Sequence, residues 1–474
     1  MDSSAPSQHN LASAKVVLIV VSLVQFTVPF LMSAVAIALP AIGRDLGASA
    51  VQLSLVQTAQ ILGVGLLLLP MGRFADINGR RRVFIGGSSL ICVATMVIGM
   101  VSSIELFILM RFIQGIGAAM IFSTSLAILT SIYPAQRRGR AIGIVAAMVY
   151  LGMAAGPSLS GIIVSHLGWR WVFVLLSIVM LATLILSVLR LTGEWRSAEG
   201  EPFDWGGAMI YMAALFLIIC GAVGITRNLT MKIAAAAGLV GMVLFFMHQR
   251  RTRYPIIDTK LLTGNLAFTF ANLATFINYS AMFSFMFLFS LYLQYVKGYS
   301  AQQAGMLLIV QPLVQAGLAP LVGRLADSYS PSRLATLGMI FCTVGLFIAS
   351  RIEADSSLAL IITVTVVLGV SLGIFATPNM TSIMSLVEPR QLGTASSMIA
   401  TMRTTGVLAS TAIIALIFYS YLGDQPVTGA NVDRFLHSQQ TSFHVFTVMS
   451  LVGTLFSSVK GRLATSIRKN GGKG

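Results

Sequence analysis

Long apolar segments alternate with short polar connections along almost the whole chain. Fourteen such segments can be distinguished, with approximate cores at 16–39, 52–70, 83–101, 105–128, 141–165, 171–189, 206–226, 233–248, 265–290, 303–322, 334–350, 357–380, 393–420 and 442–459. An α-helix needs about 20 predominantly apolar residues to cross the hydrocarbon core of a bilayer. The pattern therefore predicts an all-α integral membrane protein with fourteen membrane-spanning helices.

Composition agrees with this interpretation. Hydrophobic residues make up 56% of the 474 residues and charged residues only 10%, whereas soluble domains carry about 25% charged residues. The net charge of +16 would suggest a nucleic-acid partner in a soluble protein. Here the basic residues lie in short connections between apolar segments, so membrane topology explains them and we expect no nucleic-acid partner.

The basic residues are distributed unequally between alternate connections. One set of connections, together with the two ends of the chain, holds 22 Lys and Arg residues, and the other set holds 7. Cytoplasmic loops carry the excess of Lys and Arg in membrane proteins. Both termini are therefore expected in the cytoplasm.

A short sequence motif occurs twice. Gly72-Arg73-Phe74-Ala75-Asp76 recurs 251 residues later as Gly323-Arg324-Leu325-Ala326-Asp327, each copy following an apolar segment. Repeated halves in a membrane protein are typical of transporters with a site at the repeat interface. We predict a six-helix bundle at 1–200, two linker spans at 201–260 and a second six-helix bundle at 261–474.

The first copy continues into an arginine run, Gly79-Arg80-Arg81-Arg82. Gly72 and Gly79 permit close helix approach and a tight turn. Asp76 can lie at a helix N-terminus, or it can pair with an arginine as a latch that opens during a conformational change.

The fourth apolar segment contains Arg111, Gln114 and Gly115 in the pattern Arg-x-x-Gln-Gly. In the predicted topology Arg111 lies roughly 9 Å below the outer surface. A charge within a membrane span costs about 2.5–3.5 kcal/mol and usually indicates a functional residue. The alternative is an arginine that extends toward the surface.

The fifth segment contains small residues at helical spacing, namely Gly152, Gly156, Pro157 and Gly161. Such residues form a face on which a second helix packs closely, and Pro157 is expected to bend the helix. Ordinary helix packing with no bearing on transport is the alternative interpretation.

These motifs resemble those of the major facilitator superfamily, and with fourteen segments the chain is similar to the fourteen-span drug:proton antiporter family. The resemblance implies two six-helix bundles plus two extra spans, in a multi-pass protein of a bacterial or archaeal inner membrane. It further implies a conformational role for both motif copies, proton coupling at Arg111, and export, since the fifth-segment motif is typical of antiporters. The partners expected are the lipid bilayer and a small-molecule substrate, with a proton gradient as energy source, no cofactor or metal, and a monomeric state.

The chain departs from that family at positions that bear on coupling. Leu31 and Ala36 stand where the family usually has Asp and Asn, and none of the fifteen acidic residues lies deep in a predicted span. A buried carboxylate is the simplest proton carrier and the simplest partner for a cationic drug. Proton antiport and a preference for cations are therefore implied by the resemblance alone.

Polar residues inside the predicted spans are the candidates for a substrate pathway. They are Gln25, Gln57, Gln60, Asn272, Asn278, Gln311, Gln315, Asn379 and Arg403. Hydrogen bonding between helices is the alternative for each amide side chain. Arg403 lies roughly 15 Å into its span, so we expect it to face a polar cavity or a partner.

The function that best fits is export of small amphipathic compounds by an alternating-access antiporter. Within transport, the alternative is an exporter or facilitator of a neutral or anionic metabolite, a siderophore or a lipid. A membrane sensor or scaffold that does not transport is the alternative from another class. An enzyme is not expected, because the spans contain no cluster of His, Cys or carboxylate side chains and no phosphate-binding loop.

Overall fold

The computed structural model describes residues 8–48, 50–224, 229–257, 259–299, 301–388, 391–422 and 431–470. Within these ranges the regular secondary structure is helical, without β-strands. The helices of the first half are α1 (Gln8–Leu46), α2 (Ala50–Asn78), α3 (Arg80–Ile98), α4 (Ile104–Ile132), α5 (Ala135–His166), α6 (Trp169–Arg190), α7 (Trp205–Gly224) and α8 (Leu229–Arg251).

The second half opens with the short helix α9 (Thr259–Gly264) and contains one π-helical turn (Tyr292–Val296) directly after α10. Its other helices are α10 (Leu266–Leu291), α11 (Ala301–Leu308), α12 (Val310–Ser328), α13 (Pro331–Ala349), α14 (Leu358–Ser385), α15 (Leu392–Leu422) and α16 (Val432–Asn470). The tenth predicted span is thus divided into α11 and α12.

Most of these helices have the length and apolarity of membrane spans. In the part of the chain that the structure describes, 12 helical segments are long and apolar enough to cross a bilayer, and the apolar part of α7, Trp205–Gly221, is shorter. The all-α membrane fold is therefore confirmed, while the count of fourteen spans stays a prediction.

The chain divides into two compact units. Unit 1 comprises Met1–Phe203 with Glu388–Ala400, and unit 2 comprises Asp204–Val387 with Thr401–Gly474, so the division falls within α15. In unit 1, α1 packs on α5, α2 on α4, and α3 on α4 and α6. In unit 2, α7 packs on α8, α13 on α14 and α16, and α12 on α14. The organisation into two six-helix bundles and two linker spans stays a prediction.

The repeated motif is helical, although each copy follows the apolar part of its segment. Helix α2 continues through Pro70 to Asn78, and Gly79 with φ 113° is the single residue between α2 and α3. The second copy, Gly323–Asp327, lies within α12. Apolarity marks the part of a helix that crosses the membrane, whereas the helix itself continues as long as its backbone hydrogen bonds are satisfied.

A polar cluster joins the start of α7 to the end of α8. The Asp204 carboxylate accepts hydrogen bonds from Gly207 N at 2.8 Å and Gln249 Nε2 at 2.8 Å, and it lies 3.0 Å from His248 Nε2. Burial alone would raise the pKa of Asp204, but these hydrogen bonds outweigh it and lower the pKa. The ionised carboxylate therefore fixes the two helices as a pair.

Candidate functional site

The carboxylate of Asp76 lies in the last turn of α2 and is completely buried. One oxygen, Oδ1, accepts hydrogen bonds from Arg80 Nε at 2.9 Å and pairs with Arg80 Nη2 at 2.8 Å. The other, Oδ2, accepts a hydrogen bond from the backbone N–H of Thr394 at 3.2 Å. Thr394 lies in the first turn of α15, where free N–H groups attract anions. Asp76 therefore pairs with an arginine and also lies at the N-terminus of a helix.

Arg80 is as deeply buried as its partner, at 2% exposed. Its Nη1 donates to Ser131 Oγ at 3.0 Å and its Nη2 to Ser197 Oγ at 3.0 Å. One guanidinium thus joins the ends of α2 and α4 to the segment that follows α6. We call Asp76, Arg80 and Thr394 the Asp76 cluster.

The segment between α6 and α7, Leu191–Phe203, lies along the junction of α2 and α3, and we call it the strap. Its Ser197 N and Ala198 N donate to Asp76 O at 3.1 and 3.0 Å, and Arg80 N donates to Trp195 O at 3.0 Å. These backbone hydrogen bonds hold the strap against the Asp76 cluster.

Charged side chains strengthen the attachment of the strap. Glu201 pairs with Arg73, and Glu194 accepts a hydrogen bond from Arg81 N at 2.8 Å. A Cβ atom at Gly79 would overlap the Glu194 carboxylate, and φ at this position is +113°. Gly79 is therefore required for its backbone conformation, while the flexible Glu194 side chain can move away from an added Cβ.

Sequence reasoning missed the strap. A usable signal existed, since Glu194, Glu199 and Glu201 lie in a connection on the same predicted side of the membrane as the arginine run at 80–82. Opposite charges on one side of the membrane favour a contact, but they do not identify which residues pair.

Arg111 is 0% exposed within unit 1. Its Nε donates to Val56 O of α2 at 3.2 Å, and its Nη1 donates to Gln114 Oε1 at 3.0 Å. Gln114 Nε2 donates in turn to Thr95 Oγ1 of α3 at 2.9 Å. Among the described residues Arg111 Nη2 has no hydrogen-bond partner. The guanidinium is thus held inside the helix bundle and does not extend to an exposed surface.

Glycine allows α4 to approach α2 beside this arginine. A Cβ at Gly115 would overlap the backbone oxygen of Gln60, and a Cβ at Gly63 would lie 2.6 Å from Phe112 O. The Arg-x-x-Gln-Gly pattern therefore combines a buried cation, an amide that orients it and a close helix crossing.

The small residues of α5 contribute unequally to packing. A Cβ at Gly152 would overlap Phe26 O of α1, and a Cβ at Gly156 would overlap Ser33 Oγ and lie 2.9 Å from Phe30 O. No described residue lies within 4 Å of such a Cβ at Gly161. Gly152 and Gly156 therefore hold α5 directly on the backbone of α1, and Gly161 is outside this contact. The side chain of Pro157 lies outside the described residues.

The candidate pathway residues of unit 2 are mostly occupied by local contacts. Asn379 Nδ2 of α14 donates to Thr275 Oγ1 at 2.8 Å and Ala271 O at 3.2 Å, both in α10. This is the hydrogen bond between helices that was the alternative interpretation for such a residue. Asn278 Nδ2 lies 3.3 Å from the sulfur of Met339.

Three further amides in unit 2 are also buried. Asn272 Nδ2 donates to Phe268 O in its own helix at 3.0 Å, and Gln311 Nε2 lies 3.5 Å from the sulfur of Met282. The side-chain oxygens of both have no hydrogen-bond partner among the described residues. Gln315 lies one turn beyond Gln311 and is 4% exposed. The side-chain oxygen of Gln311 therefore retains hydrogen-bonding capacity on the face of α12 that also carries Gln315.

The other candidates are placed as follows. Gln25 and Gln60 are buried in unit 1, and the side chain of Gln57 lies outside the described residues. In the second motif copy Gly323 is buried, Arg324 is exposed and Asp327 is half-buried. Arg403 is half-buried, and its guanidinium carbon lies 4.8 Å from the ring centre of Tyr279.

Comparison with known proteins identifies the family. A family model of the Major Facilitator Superfamily matches residues 21–247 and 271–471. The chain belongs to this superfamily. The prediction of the superfamily from the repeated motif and the Arg111 pattern is therefore confirmed, and the chain is a multi-pass membrane transporter, not an enzyme.

Curated relatives of the chain are bacterial transporters. It is 27% identical to "Riboflavin transporter RibZ" of Clostridioides difficile, over 93% of this chain and 96% of the relative. It is 29% identical to "Multidrug efflux pump LfrA" of Mycolicibacterium smegmatis, over 85% and 81% respectively. It is 26% identical to "Tetracenomycin C resistance and export protein" of Streptomyces glaucescens, over 82% and 73%.

Solved structures show the same fold at low sequence identity. The human organic anion transporter MFSD10 (TETRAN) matches with a TM-score of 0.67 and 15% identity, covering 96% of this chain and 100% of that one. The proton:xylose symporter XylE matches with a TM-score of 0.69 and 13% identity, covering 94% and 95%. These likenesses concern the fold alone.

Proposed function

We propose that this transporter exports small amphipathic compounds in exchange for protons, by alternating access. The observation that supports export is the motif of α5 that resembles the antiporter branch, in which Gly152 and Gly156 pack on the backbone of α1. The names of relatives that match over more than 80% of the chain support it, because two of them describe efflux or export.

The Asp76 cluster is the proposed conformational latch. Its carboxylate is bound at once to Arg80 and to the first turn of α15, and the strap covers the same junction. A contact of this kind, between a buried charge and a helix N-terminus, is strong when closed and requires rehydration of the charge to open. Such a contact stabilises one conformation relative to the other by the free energy needed to break it. Alternating access requires two distinct conformations of this kind.

Arg111 is the proposed coupling residue. It is a buried cation that no carboxylate neutralises among the described residues, and one of its N–H groups lacks a hydrogen-bond partner. The electrostatic free energy of a cation in this position changes strongly with any change in nearby charge or hydration. We propose that proton uptake and release alter its environment during the cycle.

Transport of a neutral or anionic metabolite is the second candidate function. The match to the relative named a riboflavin transporter covers 93% of this chain and 96% of the relative. No described helix carries an acidic residue near its midpoint that could pair with a cationic substrate. Siderophores and lipids belong to the same candidate group.

Several properties of the assembled transporter belong to the proposal. We propose two six-helix bundles with α7 and α8 as linker spans, a monomer in a bacterial or archaeal inner membrane, and both termini in the cytoplasm. The preponderance of basic residues in alternate connections supports the orientation.

Flux in proteoliposomes tests the proposed function. The purified protein is reconstituted, a pH gradient is imposed, and movement of anionic, neutral and cationic fluorescent amphiphiles is followed. We expect at least one compound to move against its gradient only when the pH gradient is present. Movement that ignores the pH gradient would exclude proton antiport. If no compound moves in protein-containing vesicles beyond the rate in empty ones, a sensor or scaffold is favoured.

A further inference from the structure

Arg403 lies near the middle of α15, and no carboxylate of the described residues pairs with it. It is eleven residues from Leu392, about 16 Å along a helix that ends at Leu422. The ion pairs of the described residues all involve other cations, and no hydrogen bond of the described residues includes the Arg403 guanidinium. Its contact is with the ring of Tyr279, at 4.8 Å.

The position of this contact is fixed by close packing of α15 on α10. A Cβ at Gly406 would overlap Phe276 O, so the two backbones touch one turn beyond Arg403. Farther along, the rings of Phe287 and Phe418 lie 6.4 Å apart. From the contact of Gly406 with Phe276 to the contact of Phe418 with Phe287, residue numbers rise in both helices, so α10 and α15 run parallel. The backbone contact one turn beyond Arg403 holds this residue beside Tyr279.

Three aromatic residues continue from Tyr279 along one side of α10. Tyr279, Phe283 and Phe287 recur every four residues, and the rings of Phe283 and Phe287 are stacked at 6.4 Å and 7°. Tyr279 and Phe283 are half-buried and Phe287 is 41% exposed. We call these three residues the aromatic column. It offers flat apolar surface directly beside a cation.

Contact with lipid does not account for this arrangement. A half-buried arginine at mid-helix is unfavourable against hydrocarbon, and intramembrane charges face an aqueous cavity, a partner or a ligand. Tyr279 covers one face of the guanidinium, and that leaves the N–H groups at its edge available. Those N–H groups match the two oxygens of a carboxylate in a bidentate geometry.

We propose that Arg403 and the aromatic column form a binding site for aromatic organic anions. Arg403 binds the carboxylate, and the aromatic column binds the ring system of the same molecule. The site rests on the proposed function, in which it identifies the substrate class, and it favours organic anions over cations of the same size.

Binding of three matched naphthalene compounds tests the proposal. The full-length protein is placed in lipid nanodiscs, and dissociation constants of 2-naphthoate, 2-naphthamide and 2-naphthylmethylammonium are measured by fluorescence titration, with empty nanodiscs subtracted. A charge-assisted hydrogen bond corresponds to about ten-fold or more in affinity. We therefore expect 2-naphthoate to bind about ten-fold more tightly than the ammonium compound. Equal affinities in the wild-type protein would overturn the proposal without any variant.

Substitutions then test whether Arg403 is the residue that recognises the carboxylate. Arg403→Gln should weaken 2-naphthoate about ten-fold while 2-naphthamide stays within about two-fold, and Arg403→Lys should retain part of the affinity. Arg351→Gln is the matched control, because Arg351 also lies over a ring, Phe347 at 5.1 Å, but outside a span. An equal loss for all three compounds in Arg403→Gln, or the same loss in Arg351→Gln, would contradict recognition by Arg403.

The same compounds separate failure of this site from failure of the proposed function. Proton-driven export that Arg403→Gln leaves intact for every compound would refute the anion site and keep the export function. Tight, Arg403-dependent binding without any flux would refute export and keep the site.

Discussion

Substitution of Asp76 by Asn removes a buried charge from the centre of the Asp76 cluster and leaves its shape nearly unchanged. Asp76 and Arg80 side chains are 0% and 3% exposed, and one oxygen receives both Arg80 N–H groups. Removing one partner of a buried ion pair costs about 3–5 kcal/mol, because the other charge stays buried without compensation. Ser131 and Ser197 still accept from Arg80, so we expect a cost near the lower end of that range.

Two measurements follow the consequence of Asp76→Asn. The melting temperature of the purified protein in nanodiscs should fall, and proton-driven flux in proteoliposomes should fall about ten-fold or more. The matched control is Glu353→Gln, at an exposed carboxylate in the connection between α13 and α14. Substitutions of exposed surface residues usually change stability by about 0.5 kcal/mol or less, so the control should stay close to the wild type.

A double variant distinguishes a latch from a purely structural ion pair. Asp76→Asn with Arg80→Gln removes the uncompensated charge, so much of the lost thermal stability should return. Flux should stay low, because the carboxylate that binds the first turn of α15 is still missing. Wild-type flux in Asp76→Asn, or recovery of flux in the double variant, would refute the latch.

Three further substitutions or assays extend these tests. Arg111→Ala should abolish proton-driven flux, whereas Arg111→Lys keeps the charge and should retain part of it; pH-dependent flux in the Ala variant would place coupling elsewhere. Gly152→Ala forces a Cβ against Phe26 O, so it should lower the free energy of unfolding by about 1–3 kcal/mol and also reduce flux. Gly161→Ala, whose Cβ meets none of the described residues within 4 Å, should behave as wild type. Equal effects of the two substitutions would refute a specific contact between α1 and α5. Matched dyes with no, one and two positive charges should be transported in decreasing order. The reason is that a cation at roughly 6 Å from Arg403 is repelled by about 3 kcal/mol per charge at an effective dielectric constant of 20. Asp45, at the end of α1, and Glu105, in the first turn of α4, are carboxylates near span ends that could attract a cation, so strong efflux of the dication in a variant lacking both would contradict this.

The sequence alone determined the class of the protein, because each feature that defines it is local. The length of each apolar segment predicts by itself whether that segment crosses the membrane. The spacing of Arg111 and Gln114 places both side chains on one face of a helix. The repeated Gly-Arg-x-Ala-Asp motif and the Arg-x-x-Gln-Gly pattern predicted the superfamily by their resemblance to its motifs. The count of fourteen spans stays a prediction, since the structure describes 12 segments with the length and apolarity required.

Only the tertiary structure decided which groups meet. Asp76 binds Thr394, which lies 318 residues away in the chain, and no periodicity within either segment encodes that contact. The strap, the exclusion of Gly161 from the packing of α5 on α1, and the approach of Arg403 to Tyr279 likewise depend on where distant helices lie. Even the helical state of Gly72–Asn78 depended on backbone hydrogen bonds and polar side-chain partners, which hydropathy does not measure. Local composition determines whether a segment lies in lipid or in water. Contacts between distant segments are determined by how the whole chain packs.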